Sequence, residues 1–232
     1  LFSAFLMSSQ SVITNQEQFL DEVINKILPS TDKVSFLVWF FYFSGFQQIY
    51  KEIKDKNVRI LIGMDVEKMI RELNFKFSDT GWVSTYQSIS RFKDLVNKTD
   101  VFESEESLTA LDIFINKIID WTLEIKQTID PNHAKIYLFE QKDEFSQWWL
   151  FPWTMITGSW NLTYSWLRWQ GEFNIILRDP ENFNGTLDYF NQIRDNESVS
   201  LTTGWEDDKI VTMLRNETWL KVSDPYLCYI RL

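Results

Sequence analysis

The sequence predicts an α/β fold in which a mixed β-sheet is flanked by helices on both faces. Two short apolar runs, 34–42 and 58–63, have the length and composition of strands that are buried on both faces. The segment 46–56 between them is amphipathic at helical spacing, so the three segments predict a βαβ unit with parallel strands. Apolar residues recur at helical spacing in 107–123 and 183–193, which we predict to be helices.

The composition is typical of a globular protein from a reducing compartment. Hydrophobic residues make up 44% of the chain, which is enough for a sizeable core. Cys228 is the only cysteine and cannot form an internal disulfide, which favours a cytoplasmic location. The longest apolar run, 34–43, is far shorter than the ~20 residues of a membrane-spanning helix, so we expect no membrane association. A single histidine and a single cysteine cannot build a zinc site, and we expect neither a metal nor a cofactor.

The groups needed for phosphoryl transfer cluster in the second half of the chain. The only histidine, His133, lies two residues before Lys135 in a strand-like segment, so both side chains point to one face. A second predicted strand ends in a turn that carries Ser159 and Asn161, and Glu172 opens a third strand. An imidazole can attack phosphorus, and an ammonium and a carboxamide can stabilise the charge that develops on its oxygens. A carboxylate can hold the imidazole in one tautomer.

The order and spacing of these residues resemble the HxKxxxxD…GSxN signature of the phospholipase D superfamily. The GSxN form with a later Glu is most similar to its nuclease branch, which includes catalytic domains of some restriction endonucleases and helicase-linked domains. The resemblance covers roughly residues 34–190. The matching positions, in chain order, are 42–45 (YFSG), His133, Lys135, Glu140, Gly158, Ser159, Asn161 and Glu172.

Two departures from the signature leave one role open. Glu140 stands where the family usually has Asp, and the gap between Glu140 and Gly158 is lengthened by an aromatic insertion at 145–153. The carboxylate that supports the histidine is therefore either Glu140 or Glu172. Members of the nuclease branch place a Glu on the strand after GSxN, which favours Glu172 and leaves Glu140 as a secondary candidate.

The resemblance implies a metal-independent phosphodiesterase, and most directly a DNA endonuclease that forms a phosphohistidine intermediate. In this family two HxK motifs meet across a pseudo-twofold axis, and one histidine attacks phosphorus while the other protonates the leaving oxygen. This chain has one such motif, so the resemblance implies a homodimer that joins two copies at the active-site face. The implied catalytic residues are His133, Lys135, Ser159, Asn161 and Glu172. The alternatives are a phospholipase or phosphatidyltransferase, and a non-catalytic module for DNA binding or dimerisation.

The charge distribution bears on DNA as the substrate. A net charge of −10 is unfavourable for binding phosphates. The acidic residues are concentrated in 100–130, however, whereas 51–76 has an excess of basic residues, which allows a locally basic cleft. Six tryptophans near the motifs predict core or dimer contacts, or a surface on which bases stack. They are Trp148, Trp149, Trp153, Trp160, Trp166 and Trp169.

We divide the chain into two parts. Residues 1–194 are predicted to form the phospholipase-D-like catalytic domain, with a helical insertion at about 66–130. Residues 195–232 are predicted to form a C-terminal helical appendage, joined by a polar linker at 195–203. Near the start, Thr14 and Glu17 have the spacing of a capping box, which predicts a helix that ends near Pro29.

Overall fold

The computed structural model describes residues 11–14, 19–39, 41, 43–63, 105–142, 153–159, 173–205 and 210–212. Eight strands lie in this part of the chain: β1 (Val12–Thr14), β2 (Thr31–Val38), β3 (Asn57–Ile62), β4 (Leu123–Thr128), β5 (Ile136–Gln141), β6 (Trp153–Gly158), β7 (Phe173–Leu177) and β8 (Ser198–Ser200). The helices described are α1 (Leu20–Ile27), α2 (Phe43–Phe46), α3 (Tyr50–Ile53), α4 (Glu105–Ile119) and α5 (Pro180–Asn196). A 3₁₀ turn, Leu28–Ser30, joins α1 to β2.

The strands form one mixed sheet. Their order across the sheet is β1-β7-β6-β5-β2-β3-β4-β8. Strands β2, β3 and β4 are parallel, as the predicted βαβ unit requires, and the other neighbouring pairs are antiparallel. This arrangement confirms the predicted mixed sheet.

One face of the sheet packs against α1 and α4. The core on this side includes Phe36, Tyr137 and Ile156 from the sheet, Ile24 from α1 and Phe114 from α4. Each is almost completely buried. Burial of a large apolar side chain stabilises the fold by about 1.5–3 kcal/mol, so this layer is a main source of stability. We refer to this side as the α1/α4 face.

The opposite face packs against α5. Leu37, Leu138 and Met155 project from the sheet and meet Phe183 and Phe190 of the helix. Side chains alternate between the two faces along each strand, which is why neighbouring residues such as Phe36 and Leu37 belong to different clusters. Helices therefore cover both faces of the sheet, as the sequence predicted.

The start of α5 is fixed by its sequence. Asp179 is the N-cap, and its carboxylate accepts hydrogen bonds from the backbone N–H groups of Glu181 and Asn182, each at 3.1 Å. These bonds, that of Asn182 above all, hold the pKa of Asp179 below its usual value. Pro180 occupies the first turn, where its missing N–H has no cost. The helix that results carries Tyr189 toward the loop that bears His133.

The structure differs from the predicted domain division at two places. Residues 123–128, assigned to a helical insertion at about 66–130, form β4 inside the sheet. Residues 198–200, interpreted as part of a polar linker at 195–203, form the edge strand β8, which pairs antiparallel with β4. The sheet therefore continues beyond residue 194.

The predicted capping box at Thr14 is wrong. Thr14 belongs to β1 and pairs with Phe173 of β7. Helix α1 begins at Leu20, and its N-cap, Phe19, makes no side-chain capping hydrogen bond. The predicted end of this helix near Pro29 is confirmed, since Pro29 lies in the 3₁₀ turn that follows α1.

Several predicted features lie outside the described residues. Among them are Tyr42 of the YFSG stretch, the site residues Asn161 and Glu172, and five of the six tryptophans near the motifs. The sixth, Trp153, lies in β6 and stacks against Phe183 at a ring-centroid distance of 6.4 Å, so it packs on the α5 side of the sheet. Among the described helices, none combines the length and the apolar character that crossing a membrane requires.

Candidate active site

His133 lies at the edge of the sheet where the parallel strands β2 and β3 end. Gly63, which follows β3, donates a backbone hydrogen bond to Val38 at the end of β2 (2.8 Å). Asn132 in turn donates its backbone N–H to the carbonyl of Gly63 (2.7 Å). These two bonds bring the loop that precedes β5 to the carboxyl ends of the parallel strands. Ligand sites of open α/β sheets are typically found outside these strand ends.

The side chain of Asn132 holds this loop in shape. Its Oδ1 accepts a hydrogen bond from the backbone N–H of Ala134 (3.0 Å), and its Nδ2 donates to the Tyr189 hydroxyl of α5 (2.9 Å). A Cβ atom on Gly63 would collide with the carbonyl oxygen of Asn132, so only glycine fits there without a shift of the loop. The position of His133, the next residue, therefore depends on contacts with both β3 and α5.

His133 and Lys135 are in direct contact, as their spacing predicted. The Nζ atom of Lys135 lies 2.8 Å from Nδ1 and 3.0 Å from Nε2 of the His133 ring, and it donates to the His133 carbonyl oxygen at 2.7 Å. Lys135 is only 5% exposed, whereas His133 is exposed. The hydroxyl of Thr157 donates to the carbonyl of Lys135 (3.0 Å), which ties this segment to β6.

The contact has a consequence for the chemistry of the ring. An ammonium group has donors only, so it can hydrogen-bond only a ring nitrogen that carries no proton, and the tautomer of His133 decides which nitrogen that is. An unprotonated imidazole nitrogen is the form that can act as a nucleophile. The buried cation beside it is placed to stabilise negative charge that develops on a group attacked at this edge.

Trp39 contacts His133 and was not identified from the sequence. The two ring centroids are 4.9 Å apart, at an interplanar angle of 55°. Trp39 follows β2 directly and packs against the core of the α1/α4 face. In the sequence it stands within an apolar run, where it looks like any core aromatic residue, so only the fold reveals that it adjoins the histidine.

Ser159 follows β6 at the same edge of the sheet. Its Oγ lies 3.3 Å from both the carbonyl oxygen and the backbone nitrogen of Phe173, and its own N–H donates to that carbonyl at 3.3 Å. Because β6 and β5 are paired through Thr157 and Ile136, Ser159 lies near the start of β5, which follows the His-x-Lys segment. The described site thus contains His133, Lys135 and Ser159, while Asn161 and Glu172 lie outside the described residues.

Glu140 is occupied elsewhere. Its two carboxylate oxygens accept hydrogen bonds from Arg59 (2.9 Å) and Lys33 (3.3 Å). Arg59 also donates to Ser35 (2.9 and 2.6 Å) and Asn191 (3.1 Å), so these residues form a polar network. Glu140 is seven positions from His133 in the sequence, which along an extended chain is about 23 Å. This geometry argues against Glu140 as the carboxylate that supports the histidine.

The fold and the His133–Lys135 pair define a phospholipase-D-like domain. The profile of the family described as "Cardiolipin synthase, PLD-like domain" matches residues 23–194, which is most of the chain. The protein belongs to this family and so to the phospholipase D superfamily, whose members are phosphodiesterases or phosphotransferases. Among curated proteins, none matches the sequence significantly.

Three solved structures are similar to parts of this chain. Phosphatidylserine synthase from Haemophilus influenzae Rd KW20 is 13% identical, with a TM-score of 0.50 over 97% of this chain and 46% of its own. Nuc, a phospholipase D family member from Salmonella typhimurium, is 12% identical, with a TM-score of 0.47 over 83% of this chain and 97% of its own. NucT from Helicobacter pylori is 11% identical, with a TM-score of 0.43 over 82% and 97%. At such identities the similarity concerns the fold alone.

Proposed function

We propose that the protein is a metal-independent phosphodiesterase, and specifically a DNA endonuclease that acts through a phosphohistidine. The observation that carries the proposal is the contact between the exposed imidazole of His133 and the buried ammonium of Lys135. A nucleophile next to a cation is what attack on an anionic phosphodiester requires. His133 is the nucleophile, Lys135 and Asn161 stabilise the phosphoryl oxygens, Ser159 supports the turn, and Glu172 orients the ring.

The proposed reaction has two steps. In the first, a nitrogen of His133 forms a bond to phosphorus, the bond from phosphorus to the leaving oxygen breaks, and that oxygen receives a proton from a general acid. In the second, the same group accepts a proton from water, the water oxygen bonds to phosphorus, and the bond from phosphorus to nitrogen breaks. No metal ion takes part in either step.

The general acid is His133 of a second copy. One imidazole cannot attack phosphorus and protonate the leaving group in the same step, and the chain has only one histidine. A twofold axis through the cleft would supply both roles from identical residues. We therefore propose a homodimer in which each protomer contributes His133, Lys135, Ser159, Asn161 and Glu172 to one shared site.

DNA is favoured as the substrate by two features. The GSxN turn followed by Glu172 is the form found in the nuclease branch, and the Trp39 ring adjoins His133. Aromatic rings beside a phosphodiester site can stack on bases, which contributes about 1–3 kcal/mol per base. Because the net charge is acidic and few cations are available to replace counterions, we expect weak DNA binding with a shallow dependence on salt.

The decisive experiment is plasmid nicking in excess EDTA. The wild-type protein should convert supercoiled DNA to open circles, and His133→Ala should reduce the rate about a thousandfold or more, because the covalent route is lost. Lys26→Met serves as a matched control, since Lys26 is an exposed cation in the last turn of α1, near the start of β2 and away from the site. Retained turnover by folded His133→Ala protein would refute the nucleophile. A strict need for Mg²⁺ would refute the metal-independent route.

Mixing of protomers tests the shared site. If His133→Ala chains exchange with wild-type chains, activity per wild-type chain should fall steeply as the variant is added. A linear dependence on the number of wild-type chains, despite proven exchange, would contradict the shared site, as would an active monomer in solution.

Phosphatidyl transfer is the second candidate. The description of the matching family names cardiolipin synthase, which favours this function. The same nucleophile would then form a phosphatidyl-histidine that an alcohol, rather than water, resolves. Incubation with phosphatidylglycerol vesicles and glycerol, in parallel with plasmid DNA and a chromogenic phosphodiester, separates the two functions. Release of lipid headgroups without DNA nicking would replace the nuclease proposal.

A further inference from the structure

Asn174 in β7 is fully buried, and its amide is unusual in this fold. In the described part of the chain, neither Oδ1 nor Nδ2 of Asn174 has a hydrogen-bond partner. A buried polar atom without a partner costs about 1–3 kcal/mol, whereas an apolar side chain of the same shape would avoid this cost. An amide that carries this cost points to a hydrogen-bond partner that it meets in another state of the protein.

The sheet register places Asn174 in the row of residues that leads to Lys135. Asn174 pairs with Gly158 of β6, and the residue after Lys135, Ile136, pairs with Thr157. Continuing the register sets Lys135 opposite Gly158. Residues opposite each other in a sheet point to the same face, so Lys135 and Asn174 share the α1/α4 face. Two strand spacings separate their backbones, which is about 10 Å.

Gly158 leaves the space between the two side chains open. A Cβ atom at this position would collide with Oδ1 of Asn174. The amide therefore lies over Gly158, on the line from β7 to β5. An extended lysine side chain spans about 6 Å from Cα to Nζ, so the Lys135 ammonium can reach Oδ1 across the glycine.

The reaction gives Lys135 a reason to change partner. In this structure its Nζ lies within 3.0 Å of both ring nitrogens of His133. A ring nitrogen whose lone pair accepts a hydrogen bond from Lys135 cannot use the same lone pair to attack phosphorus, so this contact must be given up when His133 attacks. The buried ammonium then needs a new acceptor on the protein side in addition to the phosphate oxygens.

We propose that Asn174 is a positioning residue whose Oδ1 accepts a hydrogen bond from Lys135 when His133 engages phosphate. This role rests on the proposed function, since it concerns the same site and the same anion. The amide holds the ammonium against the phosphoryl oxygens while the ring is released for attack. Gly158 is needed for this contact, because any side chain at that position would lie between Lys135 and Asn174.

The test compares Asn174→Leu, Asn174→Asp and a matched control. Thr154→Val is the control. Thr154 is also fully buried, lies in β6 on the same face of the sheet as Asn174, and has a hydroxyl without a described partner. Both Asn174→Leu and Thr154→Val should keep or raise the Tm. Only Asn174→Leu should lower kcat, by about 10- to 100-fold as for residues that orient reacting groups, with little change in KM. Asn174→Asp retains the acceptor and should recover part of kcat.

A second readout does not need catalysis. His133 is the only histidine, so its ¹⁵N ring signals are assigned without ambiguity. Inorganic phosphate should shift these signals in the wild type and in Thr154→Val, and the shift should be smaller in Asn174→Leu. If the protein cleaves no phosphodiester but the signals behave in this way, the proposed function fails and the role of Asn174 stands. Unchanged kcat and ring shifts in Asn174→Leu, or a large loss of stability in it, would overturn the role.

Discussion

Lys135 and Lys117 are two lysines with nearly the same burial and very different surroundings. They are 5% and 3% exposed. Lys117, in α4, donates to the carbonyls of Lys56 (2.5 Å) and Lys54 (3.4 Å) and lies 3.3 Å from the hydroxyl of Thr122. Lys135 instead lies against the ring of His133, at the edge of the sheet.

On the proposed role of Lys135, the hydrogen-bond partner and not the degree of burial separates a structural lysine from a catalytic one. The acceptors of Lys117 are mostly backbone carbonyls that cannot move, so its role ends with joining α4 to the turn before β3. The described acceptors of Lys135 include a ring that is exposed and can exchange its hydrogen bond for a substrate. The predictions below test this contrast, from the largest expected effect to the smallest.

The largest effect is expected from replacement of the two lysines by methionine. Lys135→Met should lower phosphodiesterase kcat by about 100- to 1,000-fold, because the cation beside the nucleophile is lost. Lys117→Met should leave kcat within about threefold of wild type at a temperature where both variants are folded, since no reacting atom is near. Steady-state kinetics on a chromogenic phosphodiester measures both. Equal losses of kcat in the two variants would show that Lys135 and Lys117 do not differ in their roles.

The next effect concerns the loop that places His133. Gly63→Ala should lower kcat by about 100-fold, because the new methyl group displaces Asn132 and shifts His133 by a fraction of an ångström or more. Gly185→Ala in α5 is the matched control, since its Cβ would meet no atom within 4 Å and alanine is the better helix former. A Gly63→Ala enzyme with normal kcat would show that the loop tolerates displacement.

Replacement of Glu140 tests whether this carboxylate stabilises the fold without taking part in catalysis. Glu140→Gln weakens the network with Arg59 and Lys33, so we expect a loss of about 1–2 kcal/mol in the free energy of unfolding. Its kcat should remain within about threefold of wild type because the described partners of Glu140 are Arg59 and Lys33 and not His133. Urea denaturation and kinetics check the two parts. A drop in kcat of more than tenfold would indicate instead that Glu140 is the carboxylate that supports the histidine.

The smallest effect is the pH dependence that Lys117 imposes on stability. Burial lowers the pKa of Lys117 from 10.5 to about 8, so the unfolded chain binds more protons than the folded one between these values. Stability from this residue therefore rises as the pH increases from 8 toward 10.5, and it is constant below pH 8. After allowance for solvent screening, we expect a rise on the order of 1 kcal/mol.

Lys117→Met isolates this contribution. The difference in unfolding free energy between wild type and variant should shift in favour of the wild type as the pH rises through this window. Urea titrations at pH 7.5 and 9.5 measure it. A difference that does not change with pH would show that the buried ammonium keeps its ordinary pKa.

The local parts of the fold and site could be predicted from the sequence. The strands β2 and β3 are dense apolar runs, and their parallel pairing follows from the helical segment between them. His133 and Lys135 could be paired because a spacing of two residues in an extended chain sets both side chains on one face. These inferences need only a few neighbouring residues.

The parts that were missed depend on tertiary contacts. Strand β8 has three residues, two of them serine, and forms only because β4 offers an edge. The apolar residues of β4, Leu123 and Ile125, alternate with polar ones, but the helical pattern of α4 just before them concealed this period. Trp39 contacts the His133 ring and Asn174 pairs with Gly158 of β6, and no local pattern reports such contacts between distant residues.

The contact between Trp39 and His133 has a consequence for how the protein folds. The two residues are separated by more than ninety positions, and Asn132 is 57 positions from its partner Tyr189. Contacts over such distances close large loops, form slowly, and are present only once most of the sheet is assembled. During synthesis, the His-x-Lys segment therefore leaves the ribosome well before α5, which completes its support. His133 therefore acquires its contact with Trp39, and its loop the support of Tyr189, late in folding, after most of the sheet has formed.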